Sequence, residues 1–124
     1  MGSGDYGPRS YDPPRSFKQN EERLINEFKV NRRGLFGHVG ESKRVRQIDS
    51  ADPLATAERF AEIAGDGGRI IHVFANGGYV KELADGSYVT FRPTSRSVSP
   101  AVDLRIVDSV HVVSQKIHFE EEKR

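Results

Sequence analysis

Two dipeptides, Asn76-Gly77 and Asp85-Gly86, constrain this chain more than any other feature. Both tolerate the positive φ that tight hairpin turns need, and each sits between short segments in which apolar and polar residues alternate. They organise the second half into five strand candidates, at residues 69–74, 79–83, 87–92, 102–107 and 110–119. Short connections favour neighbouring antiparallel strands, so this half reads as a meander. The period of two then assigns faces. Val89 and Phe91 point inward and leave Tyr88, Thr90 and Arg92 on the other side; Val102, Leu104 and Ile106 point inward and leave Asp103 and Arg105. Val113, Ile117 and Phe119 do the same in the last strand, with Lys116 and His118 joining the polar set.

The first half reads as helical. Leu24, Ile25 and Phe28 recur at helical spacing within residues 17–30, while Glu21, Glu22, Arg23 and Glu27 face elsewhere. Asn31-Arg32-Arg33-Gly34 ends that helix, and residues 35–48 hold too many glycines to continue it, which predicts an ordered loop. A second helix has Asp52 as its cap, Pro53 at its first position and an apolar stripe of Leu54, Ala57, Phe60, Ala61 and Ala64. Gly65 and Gly67-Gly68 stop it. Residues 1–16, with three glycines and three prolines, read as a flexible linker or tail, and residues 17–124 as a single domain. The expected class is α+β, with N-terminal helices packed on one face of a four- to five-stranded antiparallel sheet.

Composition narrows the chemistry. There are no cysteines among the 124 residues, which excludes disulfides and thiolate metal sites. No apolar run approaches the ~20 residues of a membrane span, so no membrane insertion is expected. The net charge of +1 conceals an asymmetry: residues 29–48 carry six basic residues against Glu41, and residues 49–66 carry five acids against Arg59. Such a distribution attracts a polyanion to one face.

The polar sheet face, with Thr90, Arg92, Asp103, Arg105, Lys116 and His118, is the site candidate. Cations beside an imidazole suit reaction at a phosphodiester. Cleaving RNA without a metal takes a base for the 2′-OH, an acid for the leaving 5′-oxygen, and cations for the doubly negative phosphorane. His118 and His38, the latter from the glycine-rich basic loop, would bracket the phosphate, and Arg92 and Lys116 would stabilise it. Each also has a plainer reading: a strand histidine exposed to solvent, a loop histidine bonded within its own loop, a serine-rich turn that is simply polar. Other chemistries fit worse, since close metal-ligand spacing, a GxxxxGK[ST] loop and a GxSxG elbow are all missing.

The run from His38 through Lys43 and Arg44, the Asp52-Pro53 helix ending in Gly-Gly, the stretch DGSYVTFRPTSRSVSPAVDLRI and the closing QKIHF together resemble the C-terminal toxin domains of bacterial polymorphic toxins of the Rhs and contact-dependent inhibition type. Within these the chain looks like the ribonuclease group with the barnase/EndoU/colicin/RelE-like (BECR) fold. The resemblance implies metal-independent cleavage of RNA, often tRNA, in the cytoplasm of a target bacterium, with a larger carrier protein preceding the domain and a cognate immunity protein protecting the producer. It implies catalytic roles for His38, Arg92, Lys116 and His118 and no cofactor. Substrate contacts would come from Lys43, Arg44, Thr90, Thr94, Ser95, Ser97 and Arg105. Where the pattern would have Gly-Pro-Thr before the fourth strand, this chain has Ser99-Pro100-Ala101. Two other readings stay open: a non-enzymatic module that docks RNA or an acidic protein through Arg44 and Arg46, and a toxin with another target chemistry.

Overall fold

The structure is a computed structural model and describes residues 14–40, 45–95 and 98–122. Two helices pack on one face of a seven-stranded sheet. Helix α1 (Phe17–Glu27) begins with a reciprocal cap, in which the Ser16 hydroxyl accepts from Gln19 N and the Gln19 side chain accepts from Ser16 N. Arg15 is also part of the folded structure, because its carbonyl accepts from Ala84 N at 2.9 Å. Strands β1 (His38–Val39) and β2 (Val45–Ser50) follow, then helix α2 (Pro53–Ala64), capped by Asp52 through Ala55 N. The chain continues with β3 (Arg69–Val73), β4 (Tyr79–Glu82), β5 (Tyr88–Arg92), β6 (Ala101–Arg105) and β7 (Gln115–Glu121).

The strand order is β1-β2-β7-β6-β5-β4-β3. After β2 the chain runs through α2 to the far edge of the sheet and returns as an antiparallel meander, until β7 lies alongside β2. That last pairing is parallel, with Val45 opposite Lys116 and Ser50 opposite Glu121. The expectation of four or five antiparallel strands is therefore corrected: the sheet is mixed and has seven. The two additional strands lie in the segment read as a loop. Their pattern was obscured by Arg46, which occupies an inward position where an apolar residue is expected.

Phe60 of α2 sits at the centre of the core. Its ring meets Phe28, Phe36 and Phe119 edge-on at 4.9, 5.0 and 5.7 Å. Val89, Val102, Leu104 and Ile117 come up from the sheet, and Phe17 and Leu24 come across from α1. Leu54, placed in the apolar stripe, is instead 42% exposed.

Two buried polar side chains of α1 tie it to the rest. Asn20 donates to the carbonyls of Ala64 and Asp66 at 3.0 and 2.9 Å, satisfying the end of α2. Glu21, expected to face solvent, is 2% exposed. Its carboxylate accepts from Val110 N at 2.8 Å, His111 N at 2.5 Å and Val112 N at 2.8 Å. Three successive amides turned toward one carboxylate cannot join a ladder, so β7 starts at Gln115 rather than at residue 110. Val113 is correspondingly 45% exposed and Val112 takes the inward place.

Tyr79, half-buried on the helix side, titrates above its ordinary value, because burial and then the carboxylates of Glu62 and Glu58 oppose its ionisation. The unfolded chain loses this proton first, so the contribution to stability is complete below a pH of about 10 and is lost as pH rises through the higher folded value. Tyr79→Phe is expected to lose less stability than wild type over that rise, measured by urea unfolding across an alkaline pH series.

Candidate functional site

The face turned away from the helices carries the polar residues predicted for it. Strand pairing puts one set in a single cross-sheet row: Arg92 is opposite Ala101, Ala101 opposite His118, His118 opposite Gln47, and Gln47 opposite His38. His38 thus reaches the sheet as part of its edge strand. It is separated from His118 by one intervening strand, a Cα separation of about 10 Å at ordinary strand spacing.

Gly37 makes this placement possible. Its φ is +60°, and a Cβ there would come within 2.0 Å of Gln47 O. Gly37→Ala is expected to detach β1 from β2 at a cost of about 1–3 kcal/mol. Urea unfolding measures that loss, and a midpoint equal to wild type would contradict it.

Each histidine has a defined partner. His118 Nδ1 is 2.9 Å from the hydroxyl of Ser99, which is 9% exposed. Ser99 follows Val98, whose φ of 77° is rare for a β-branched residue, so the backbone turns unusually just before the hydroxyl that meets the ring. His38 Nε2 is 3.0 Å from Asp49 Oδ2, and its Nδ1 is 3.1 Å from Val39 O. Both partners are acceptors, so each contact is a hydrogen bond only when its nitrogen carries a proton. Gln47 donates from its amide to the other Asp49 oxygen at 2.9 Å. Together Asp49, Gln47 and His38 make one connected group at the sheet edge.

Lys116 lies one row away, two residues before His118 on the same face, beside Asp103 and Val45. Arg92 shares the histidine row, but its guanidinium is engaged elsewhere, 4.4 Å over the ring of Phe74 and toward the opposite edge. Thr90 is paired with Asp103. Arg105 is opposite Tyr88 and four residues beyond Ala101, hence about 13 Å from the row. Thr94 accepts from Asn76 Nδ2 at 3.4 Å beside Arg92, and Ser95 N donates to Ser99 O at 3.0 Å. Lys43, Arg44 and Ser97 lie outside the described residues. Arg46 is not a docking cation: it is 7% exposed, and its guanidinium donates to the carbonyls of Phe36 and Gly37 at 2.8 and 3.0 Å.

Three site residues escaped the sequence reading. Gln47, Asp49 and Glu120 share this face, with Asp49 opposite Glu120. The carboxylates of Asp49 and Glu120 temper its cationic character near the histidines. The signal for them was the alternation Val45, Gln47, Asp49 against Arg46 and Ile48.

Among the described residues no group of three or more His, Asp or Glu could hold a metal ion, and no helix is long and apolar enough to cross a membrane. No family model, curated protein or solved structure matches the chain.

Proposed function

We propose that this chain is a ribonuclease that works by general acid–base catalysis and acts as the toxin domain of a larger secreted effector. The observation that carries the reading is the cross-sheet row in which His38 and His118 flank Gln47. A phosphate over Gln47 lies within reach of both imidazoles, of the Gln47 amide and of Lys116.

His118, oriented by Ser99, takes the proton of the 2′-OH. The 2′-oxygen then bonds to phosphorus, and the bond from phosphorus to the 5′-oxygen breaks. His38 gives its Nδ1 proton, which rests on Val39 O in the free protein, to that leaving oxygen, and Asp49 at Nε2 holds the ring as the charge changes. Lys116 and the Gln47 amide offset the negative charge that grows on the phosphorane. The products are a 2′,3′-cyclic phosphate and a free 5′-hydroxyl.

Resemblance to BECR-fold polymorphic toxins supplies the biological setting: RNA, often tRNA, as substrate in the cytoplasm of a target bacterium, an N-terminal carrier and a cognate immunity protein. Expression of the chain in bacteria, followed by gel analysis of total RNA, tests the reading. Discrete tRNA fragments are expected. Growth arrest with intact RNA would point to another target chemistry, and harmless expression without cleavage to a binding module.

A further inference from the structure

The histidine row extends past Arg92. Phe74 N donates to Gly78 O at 2.8 Å, and the pairing of Tyr79 with Phe91 puts Gly78 beside Arg92. Gly78 has no side chain to obstruct the path, and a Cβ there would come within 2.5 Å of Phe91 O and 3.1 Å of the Phe74 ring. The Arg92 guanidinium therefore crosses Gly78 and sits over the ring of Phe74, with its centre 4.4 Å from the ring centroid. His72 supports Phe74 edge-on at 4.8 Å. Asn76 and Thr94, bonded to each other, form a polar rim beside the stack.

Arg92 is exposed, so the guanidinium has one side on Phe74 and the other toward solvent. A planar cation held in place by an aromatic ring is a platform for a nucleobase, because bases stack on guanidinium planes as they do on aromatic rings. The platform lies on the His118 side of the phosphate position: the Arg92 Cα is two strand spacings from the His118 Cα, and Phe74 is four, a distance of about 19 Å. That span exceeds the reach of a single nucleotide, so the base that meets the platform belongs to the nucleotide preceding the one whose 2′-OH meets His118.

We propose that Phe74 and Arg92 form a stacking subsite for the base of the second nucleotide 5′ to the cut, with Asn76 and Thr94 at its edge. The proposal rests on the ribonuclease reading above. It gives Arg92 a role in binding the neighbouring base and leaves charge stabilisation at phosphorus to Lys116.

The test uses a DNA oligonucleotide with a single ribonucleotide, which has one 2′-OH and hence one cleavable position. Wild type is expected to cut it about ten-fold faster, in kcat/KM, than the same oligonucleotide with an abasic site at the nucleotide immediately 5′ to the ribonucleotide. Phe74→Ala should reduce this preference to about two-fold or less. Arg92→Lys, which keeps the charge and loses the planar face, should do the same and guards against a folding defect at Phe74. Equal cleavage of both oligonucleotides by wild type, or a ten-fold preference retained in both variants, overturns the subsite. If wild type cuts neither, the ribonuclease reading is decided by the total-RNA gel alone, and the subsite is judged by binding to an all-deoxy oligonucleotide containing 2-aminopurine. Quenching by wild type and not by Phe74→Ala upholds it; no quenching by wild type overturns it.

Discussion

His118→Ala is expected to lower the rate of RNA cleavage by about 10²–10⁴-fold, the usual weight of one positioned acid or base, while leaving thermal unfolding close to wild type. The ring is half-buried in the middle of the row, and its described partner is the Ser99 hydroxyl, so truncation removes little packing. His38→Ala should produce a loss of similar size. The two variants differ in how the residual rate depends on pH. With His118 as the base, its removal flattens the acidic limb of the pH–rate profile, and with His38 as the acid, its removal flattens the alkaline limb. Asp49→Asn should cost less, about ten-fold, because the ring keeps its bond to Val39 O while losing its charged partner. If both alanine variants cut a defined RNA at the wild-type rate, the site is not on this face.

Glu21→Ala carries the largest expected effect on stability, about 3 kcal/mol. The carboxylate is buried and is the shared acceptor for three consecutive amides in the segment before β7. Its removal leaves those donors without their partner and frees the connection that aligns β7. Hydrogen bonds to charged groups are each worth about 1.5–3 kcal/mol, and the partial exposure of Val110 and His111 lets water recover a portion. Glu21→Gln keeps one oxygen but turns an NH₂ toward the amides, so it should fall between the two. Urea unfolding of the three proteins gives the order directly. Equal midpoints for Glu21→Ala and wild type would show that the triple contact contributes nothing.

Much of the sheet was legible because its turns and its alternation agree. Asn76-Gly77 and Asp85-Gly86 marked real hairpins, and Val89, Phe91, Val102, Leu104, Ile117 and Phe119 are all buried as the period of two requires. The same period put Thr90, Arg92, Lys116 and His118 on the opposite face. What was not legible depends on long-range contacts. A short edge strand between Gly37 and Gly40 has no local signature, because its pairing with β2 fixes it. Arg46 looked like a docking cation since nothing nearby in sequence announces that two carbonyls will receive it inside the fold. Glu21 appeared solvated for the same reason: its partners are about 90 positions away. Arg92 was placed on the polar face, but its row and the direction of its head depend on strand register and on Phe74, across Gly78.

The parallel pairing of β2 with β7 also has a kinetic consequence. It joins Val45 to Lys116, so the chain must close a loop of 71 positions before that contact forms. Contacts this far apart come late in folding, since the entropy of closure must be spent before they stabilise anything. The helices and the meander from β3 to β6 can assemble from nearer neighbours, but the row containing both histidines cannot exist until β7 is docked. During synthesis this means that a ribosome-bound chain lacking residues 115–121 would hold no competent pair of imidazoles. A chain built this way completes the histidine row only in the folding step that docks β7 against β2.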